Sequence, residues 1–212
     1  MNALTNATPR VAVAPEASSL IKQIVRRQMN HSGNILLCAM EPMSEDEFFK
    51  GGVNGVSPAW SIGHLACVTD LFCGWIDVGK ELPDDIHHIF NRLELVDDPP
   101  PKCDTVDRTK VSKKSIMMFF RRAQIRALRL LDEFDLTRWN QATPDGMPES
   151  LPYWGAIWEA LGVHTYWHLG ELSGCLPRFH GTYTLNTVPH YFFEPQEASN
   201  DDHLFEPSEV QL

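Results

Sequence analysis

The chain has 212 residues, 43% of them hydrophobic and 22% charged, a composition that suits one domain with a buried core. A net charge of −10 argues against non-specific binding to nucleic acid or to an anionic membrane. No apolar run approaches the roughly 18 residues of a membrane span, and the N-terminal residues lack the apolar core of a signal peptide; a cytoplasmic protein is expected. The five cysteines, Cys38, Cys67, Cys73, Cys103 and Cys175, are irregularly spaced and form no C-x-x-C pair, so reduced thiols are expected rather than a zinc ribbon or a redox motif.

Residues 1–17 are small, polar and proline-bearing, and read as a flexible N-terminal segment. Ser18 or Ser19 can then cap a first helix, in which Leu20, Ile24, Gln28, His31 and Ile35 form a stripe running to about Met40. Ser44 with Glu47 three residues on is a capping box for a short helical turn, and Gly51–Gly55 is a loop. A second helix begins at Ser57 as N-cap with Pro58 in the first turn, where its missing N–H costs nothing. Trp60, His64, Cys67, Val68 and Leu71 make one of its faces, and Gly79–Pro83 stops it. From Pro83 to about Thr105 runs a long proline-rich connection, expected to be a crossover or a lid.

A third helix is predicted from about Thr109 to Phe134, with Ile116, Phe120, Ala123, Ala127, Leu130 and Leu131 on its apolar face. Its basic face, with Arg122, Arg126 and Arg129, reads as solvated and paired with Glu133. A loop over Trp139–Leu151 contains the turn signal Pro144-Asp-Gly146. The fourth helix, about Pro152 to Leu176, is apolar nearly all round and is expected to be the most buried. Residues 182–212 read as a C-terminal extension to a helical domain spanning 18–181. The fold class is therefore all-α, a four-helix bundle with a long crossover between its second and third helices.

The chemistry concentrates in His164 and His168, four residues apart in an apolar segment. On a helix that spacing advances about 6 Å and about 40° round the axis, so both imidazoles point one way. The third candidate ligand is His64, mid-helix on another core face. Three neutral imidazoles suit zinc, nickel, iron, cobalt or copper and leave a coordination position open, as catalytic zinc sites do. Such a site lowers the pKa of bound water to about 7 or holds a thiol as thiolate. The competing interpretation is a set of hydrogen-bonded core histidines with no ion. Glu171 shares the face of the pair and is a candidate fourth ligand, outer partner of a ligand, or general base. Cys67, three residues from His64, reads better as a small core residue than as a thiolate ligand. His31 reads as a rim residue, and His87, His88, His180, His190 and His203 as loop or tail histidines without ligand geometry.

Two stretches, Trp60-Ser-Ile-Gly-His64-Leu-Ala and His164-Thr-Tyr-Trp-His168-Leu-Gly-Glu171-Leu, resemble the two signatures of the DinB/YfiT-like superfamily. The resemblance covers about residues 16–181. It implies a four-helix bundle with a three-histidine site at His64, His164 and His168, a divalent ion (nickel or zinc above all), and a homodimer. It further implies a thiol-dependent S-transferase or related chemistry on a small-molecule substrate, with a low-molecular-weight thiol as cofactor. Glu171 departs from the pattern, which usually has glutamine there, and adds negative charge beside the site. The alternatives are a hydrolase using metal-activated water with Glu171 as base, a non-catalytic metal-binding helical module, and a metal-free helical dimer.

Overall fold

The structure, a computed structural model, describes residues 13–51, 56–76, 79–90, 106–143 and 151–175. The expectations for residues 1–12, the later part of the long connection, the Pro144–Gly146 turn and the C-terminal extension lie outside the described residues. Within them the chain is helical and contains no strand; Ala142 and Pro152 form an isolated bridge. No described helix is long and apolar enough to cross a membrane. In chain order the elements are α1 (Pro15–Met40), α2 (Glu45–Phe49), α3 (Pro58–Ile76), α4 (Asp84–Phe90), α5 (Lys113–Glu133), a 3-10 turn (Leu136–Arg138), α6 (Tyr153–Ile157), a π-helical segment (Trp158–Val163) and α7 (His164–Cys175). The last three follow one another without a break.

Several boundaries differ from the sequence expectation, each for a local reason. The first helix begins at Pro15 rather than after Ser18, because proline is preorganised for the first turn; the Ser18 hydroxyl instead donates to the Ala14 carbonyl at 3.0 Å. The capping box at Ser44 and Glu47 forms as expected. The third long helix starts at Lys113, not Thr109, capped by reciprocal bonds between Ser112 and Ser115. Lys113 at the head of a helix opposes that helix's dipole, but its ammonium reaches the Glu41 carbonyl at 2.8 Å, an unpaired acceptor at the C-terminal end of α1.

The core joins α3 and α5, the most extensively packed pair, through residues such as Ile62, Leu65, Phe72, Ile116, Phe120 and Leu131. The helix α3, rather than the last helix, is the most buried. The final helical run has apolar residues on its outer side too, where Trp167 is 67% exposed and Val163 42%.

Asp70 is the sole charge within the apolar α3, and it is fully buried. Its carboxylate accepts from Arg126 Nη1 at 2.7 Å, from His87 Nε2 at 2.9 Å, and from the backbone N–H groups of Glu81 and Leu82 at 3.1 Å. Arg126 also donates to the Gly79 carbonyl at 2.6 Å. Two expectations are corrected here. Arg126 is buried against Asp70 instead of belonging to a solvated stripe paired with Glu133. His87 lies in a helix and is buried, not in a loop. Both are drawn inward because an ionised carboxylate inside a core needs hydrogen-bond donors and a countercharge.

Burial alone would raise the Asp70 pKa, but the donors from His87, the Leu82 and Glu81 amides and Arg126 outweigh it and hold it below the usual carboxylate range. Its stabilising contribution is therefore present above the unfolded-state value near pH 3.9 and is lost as pH falls through the lower folded-state value. Asp70→Asn should unfold in less urea than wild type at pH 7, with the gap narrowing below about pH 4. Asp70→Ala leaves Arg126 buried without its carboxylate and should lose about 3–5 kcal/mol at pH 7 by urea titration.

Candidate metal site

The site is assembled from α3 and α7. The Ser57 side chain accepts the Trp60 amide at 3.1 Å, so the N-cap expected from the sequence sets the start of α3 and brings His64 round to its position. His164 opens α7 directly after the π-helical segment, and its amide bonds back five residues to the Glu159 carbonyl. That wider turn changes the angular register of everything after it, so the direction of the histidine pair depends on the π segment and not on α-helical spacing alone. Gly162 within the segment faces α1, where a methyl group would come within 3.0 Å of Gln28 Oε1.

The three histidines converge as expected. Ring centroids are 5.3 Å apart for His64 and His164, 5.2 Å for His64 and His168, and 4.8 Å for His164 and His168. One ligand nitrogen from each lies within 4.8 Å of the others. The Nε2 atoms of His164 and His168 are 3.1 Å apart. Imidazole nitrogens sharing a tetrahedral ion at about 2.0–2.1 Å sit about 3.4 Å from one another, so this pair already has the required spacing.

Surrounding groups settle the proton positions on two of the rings. His64 Nδ1 is 3.0 Å from the Phe90 carbonyl, which can only accept, so Nδ1 carries the hydrogen and Nε2 is the free donor atom. His168 Nδ1 is 2.8 Å from Glu171 Oε2, which leaves its Nε2 unprotonated in the neutral ring. The His164 Nε2–H then donates to His168 Nε2, so His164 can ligate through Nε2 only once that proton has moved to Nδ1. Trp60 stacks on His64 at 4.7 Å with an interplanar angle of 8° and meets His168 edge-on at 5.8 Å, walling one side of the cluster.

The electrostatics favour neutral rings. Burial, then the nearby His168 and His64, push the His164 pKa down to about 3, and burial with His64 does the same to His168. Burial also lowers His64, against the partly compensating Phe90 hydrogen bond and the Glu171 charge. Neutral imidazole is the metal-ligating form, so at physiological pH protonation of the rings does not compete with an ion.

Of the other candidates, Glu171 has both oxygens engaged, one by His168 and the other by the Trp167 indole N–H at 3.2 Å. That is the arrangement of an outer partner that orients a ligand. Cys67 is buried beside the Ile86 carbonyl, 3.7 Å away, and burial followed by the Asp70 charge pushes its thiol up to about 12, which matches the core role and not that of a thiolate ligand. His31 is half-buried at the rim near Tyr166, with ring centroids 6.4 Å apart. The residue that the sequence reading missed is Phe90, which acts through a backbone carbonyl and so leaves no side-chain signal.

In metal-free protein, the unfolded chain takes up protons near pH 6.5 while folded His164 and His168 stay neutral to about pH 3. Stability therefore falls as pH drops through that window. Urea midpoints measured from pH 7 to pH 4 should decline less steeply for His164→Phe than for wild type; parallel declines would contradict the shifted pKa. Compared with protein-family models, curated proteins and solved structures, the chain matches none.

Proposed function

We propose that this chain is a metal-dependent enzyme of the DinB/YfiT-like type, with His64, His164 and His168 as ligands of one divalent ion, nickel or zinc above all. The observation that carries the reading is the convergence of three ligand nitrogens within 4.8 Å, two of the rings having Nδ1 already engaged by an acceptor. The two sequence signatures support the same family, and with it a four-helix bundle with a crossover after its second helix, a homodimer, and a cytoplasmic setting. A divalent ion held by His64, His164 and His168 would supply Lewis acidity and would favour the thiolate form of a low-molecular-weight thiol. The chain's own contribution is to orient the three imidazoles, to keep them neutral, and to shield one side with the Trp60 ring. In the transfer, the sulfur forms a bond to an electrophilic carbon of a small-molecule substrate, the leaving group departs with its electron pair, and the thiol proton passes to water.

Two alternatives are less well supported. Hydrolysis with Glu171 as general base competes with the two hydrogen bonds that its oxygens already accept, from His168 Nδ1 and from the Trp167 indole N–H. A closed, purely structural site requires a fourth ligand, and neither Cys67 nor Glu171 joins the cluster formed by the described residues.

Protein purified without chelators should contain one divalent ion per chain by elemental analysis and should conjugate at least one electrophile in a panel of thiols and electrophiles. His64→Ala should lose both properties; equal activity in wild type and variant would rule out the enzymatic reading, and bound metal without turnover would favour the structural one. Glu171→Gln retains an acceptor for His168 Nδ1 but removes the charge, and should weaken metal binding by about tenfold or less, whereas Glu171→Ala should weaken it by about 10–100-fold in a chelator competition.

A further inference from the structure

The segment that follows α3 folds back along it in a definite register. Gly79, at φ +66°, makes the reversal, a conformation that favours glycine. From there the chain retraces one stripe of α3, whose residues Gly74, Asp70, Cys67 and Gly63 repeat at helical spacing. A methyl group on Gly74 would fall 2.8 Å from the Gly79 carbonyl oxygen. Asp70 takes the amides of Glu81 and Leu82 and the ring of His87. Cys67 reaches the Ile86 carbonyl, and a methyl group on Gly63 would fall 2.3 Å from the Phe90 ring. The returning segment thus lies flat against small side chains and is fastened midway by one buried carboxylate.

At the end of this strap stands the carbonyl that holds His64. Phe90 is the last described residue of α4, and its C=O accepts from the His64 Nδ1–H at 3.0 Å. His87 lies one turn before Phe90 and is 7% exposed, bonded to Asp70, which Arg126 of α5 also holds.

We propose that residues 79–90 form a positioning strap for His64, with His87 as the residue that, through Asp70, holds the Phe90 carbonyl in register with the ligand ring. The function assigned to the strap rests on the metal-site reading above. Its physical content does not: the strap selects the Nδ1–H tautomer of His64 whether or not an ion is bound. The described contact of the strap with His64 is the Phe90 backbone carbonyl, so the strap acts by backbone geometry. His87 is accordingly a positioning residue and not a catalytic one.

The test compares wild type, His87→Ala and His87→Gln, whose amide can still donate to Asp70. Long-range proton–nitrogen correlation spectra of metal-free protein report the His64 tautomer, and chelator competition with zinc reports affinity. Wild type should show the Nδ1–H form; His87→Ala should populate the Nε2–H form and bind zinc about tenfold or more weakly, with His87→Gln recovering towards wild type in both readings. A folded His87→Ala with wild-type tautomer and affinity overturns the proposal. If His87→Ala loses its helical circular dichroism, Gly63→Ala decides, because it displaces Phe90 from the far end of the strap without touching Asp70. The same two losses are expected there, and no change in either overturns the proposal. If wild type binds no zinc, the metal-site reading fails, and the tautomer alone still decides whether the strap orients His64.

Discussion

Asp70 brings one full negative charge into the middle of a helix that is otherwise apolar, and much of the surrounding structure answers that charge. Taking a carboxylate out of water is costly unless donors replace the lost solvent. Here the donors come from three places: the Arg126 guanidinium on α5, the His87 ring on α4, and two amides of the turn between α3 and α4. Meeting that single demand ties together segments more than 50 residues apart in the chain, since Asp70 and Arg126 are 56 positions apart. Hydrophobic burial is non-directional and would accept several packings of α4 on α3. Hydrogen bonds to one carboxylate accept far fewer.

The histidine cluster presents the opposite electrostatic situation. Its rings are half-buried for His64 and His164 and buried for His168, with no formal positive charge to stabilise, and their crowding disfavours protonation of His164 and His168. Two Nδ1 atoms face acceptors of different character, a neutral carbonyl for His64 and a carboxylate for His168. The cluster is therefore unsymmetrical: His168 is made more electron-rich by Glu171, while His64 is held mainly by geometry. His164 has neither arrangement among the hydrogen bonds described, and it is the ring whose proton would have to leave Nε2 for that nitrogen to serve as a lone-pair donor.

Much of the helical architecture was legible in the sequence. The Ser57-Pro58 start, the Ser44 capping box and the apolar period of the third long helix each reflect a local preference that tertiary contacts did not override. The site residues were legible for a related reason: histidines on apolar faces are conspicuous, and an i, i+4 pair is more so. What escaped was of two kinds. Arg126 and His87 look like ordinary polar residues until Asp70 is recognised as a charge with no solvent, a signal that lay in the lone acidic residue of an apolar helix. The π-helical register and the Phe90 carbonyl had no signal of side-chain type at all.

Taken alone, the sequence determined the long helical segments, where two helices start, and that three histidines lie on apolar helix faces, but not the short helix α4. These follow from interactions between residues a few positions apart, which periodicity and capping report directly. Only the tertiary structure decided that the imidazoles meet, which nitrogen of His64 and His168 is free, and that Glu171 accepts from the His168 ring. Those outcomes depend on distances between residues as much as 104 positions apart, as with His64 and His168. Distances of that kind are fixed by packing and by where a buried carboxylate finds its donors, neither of which local spacing encodes.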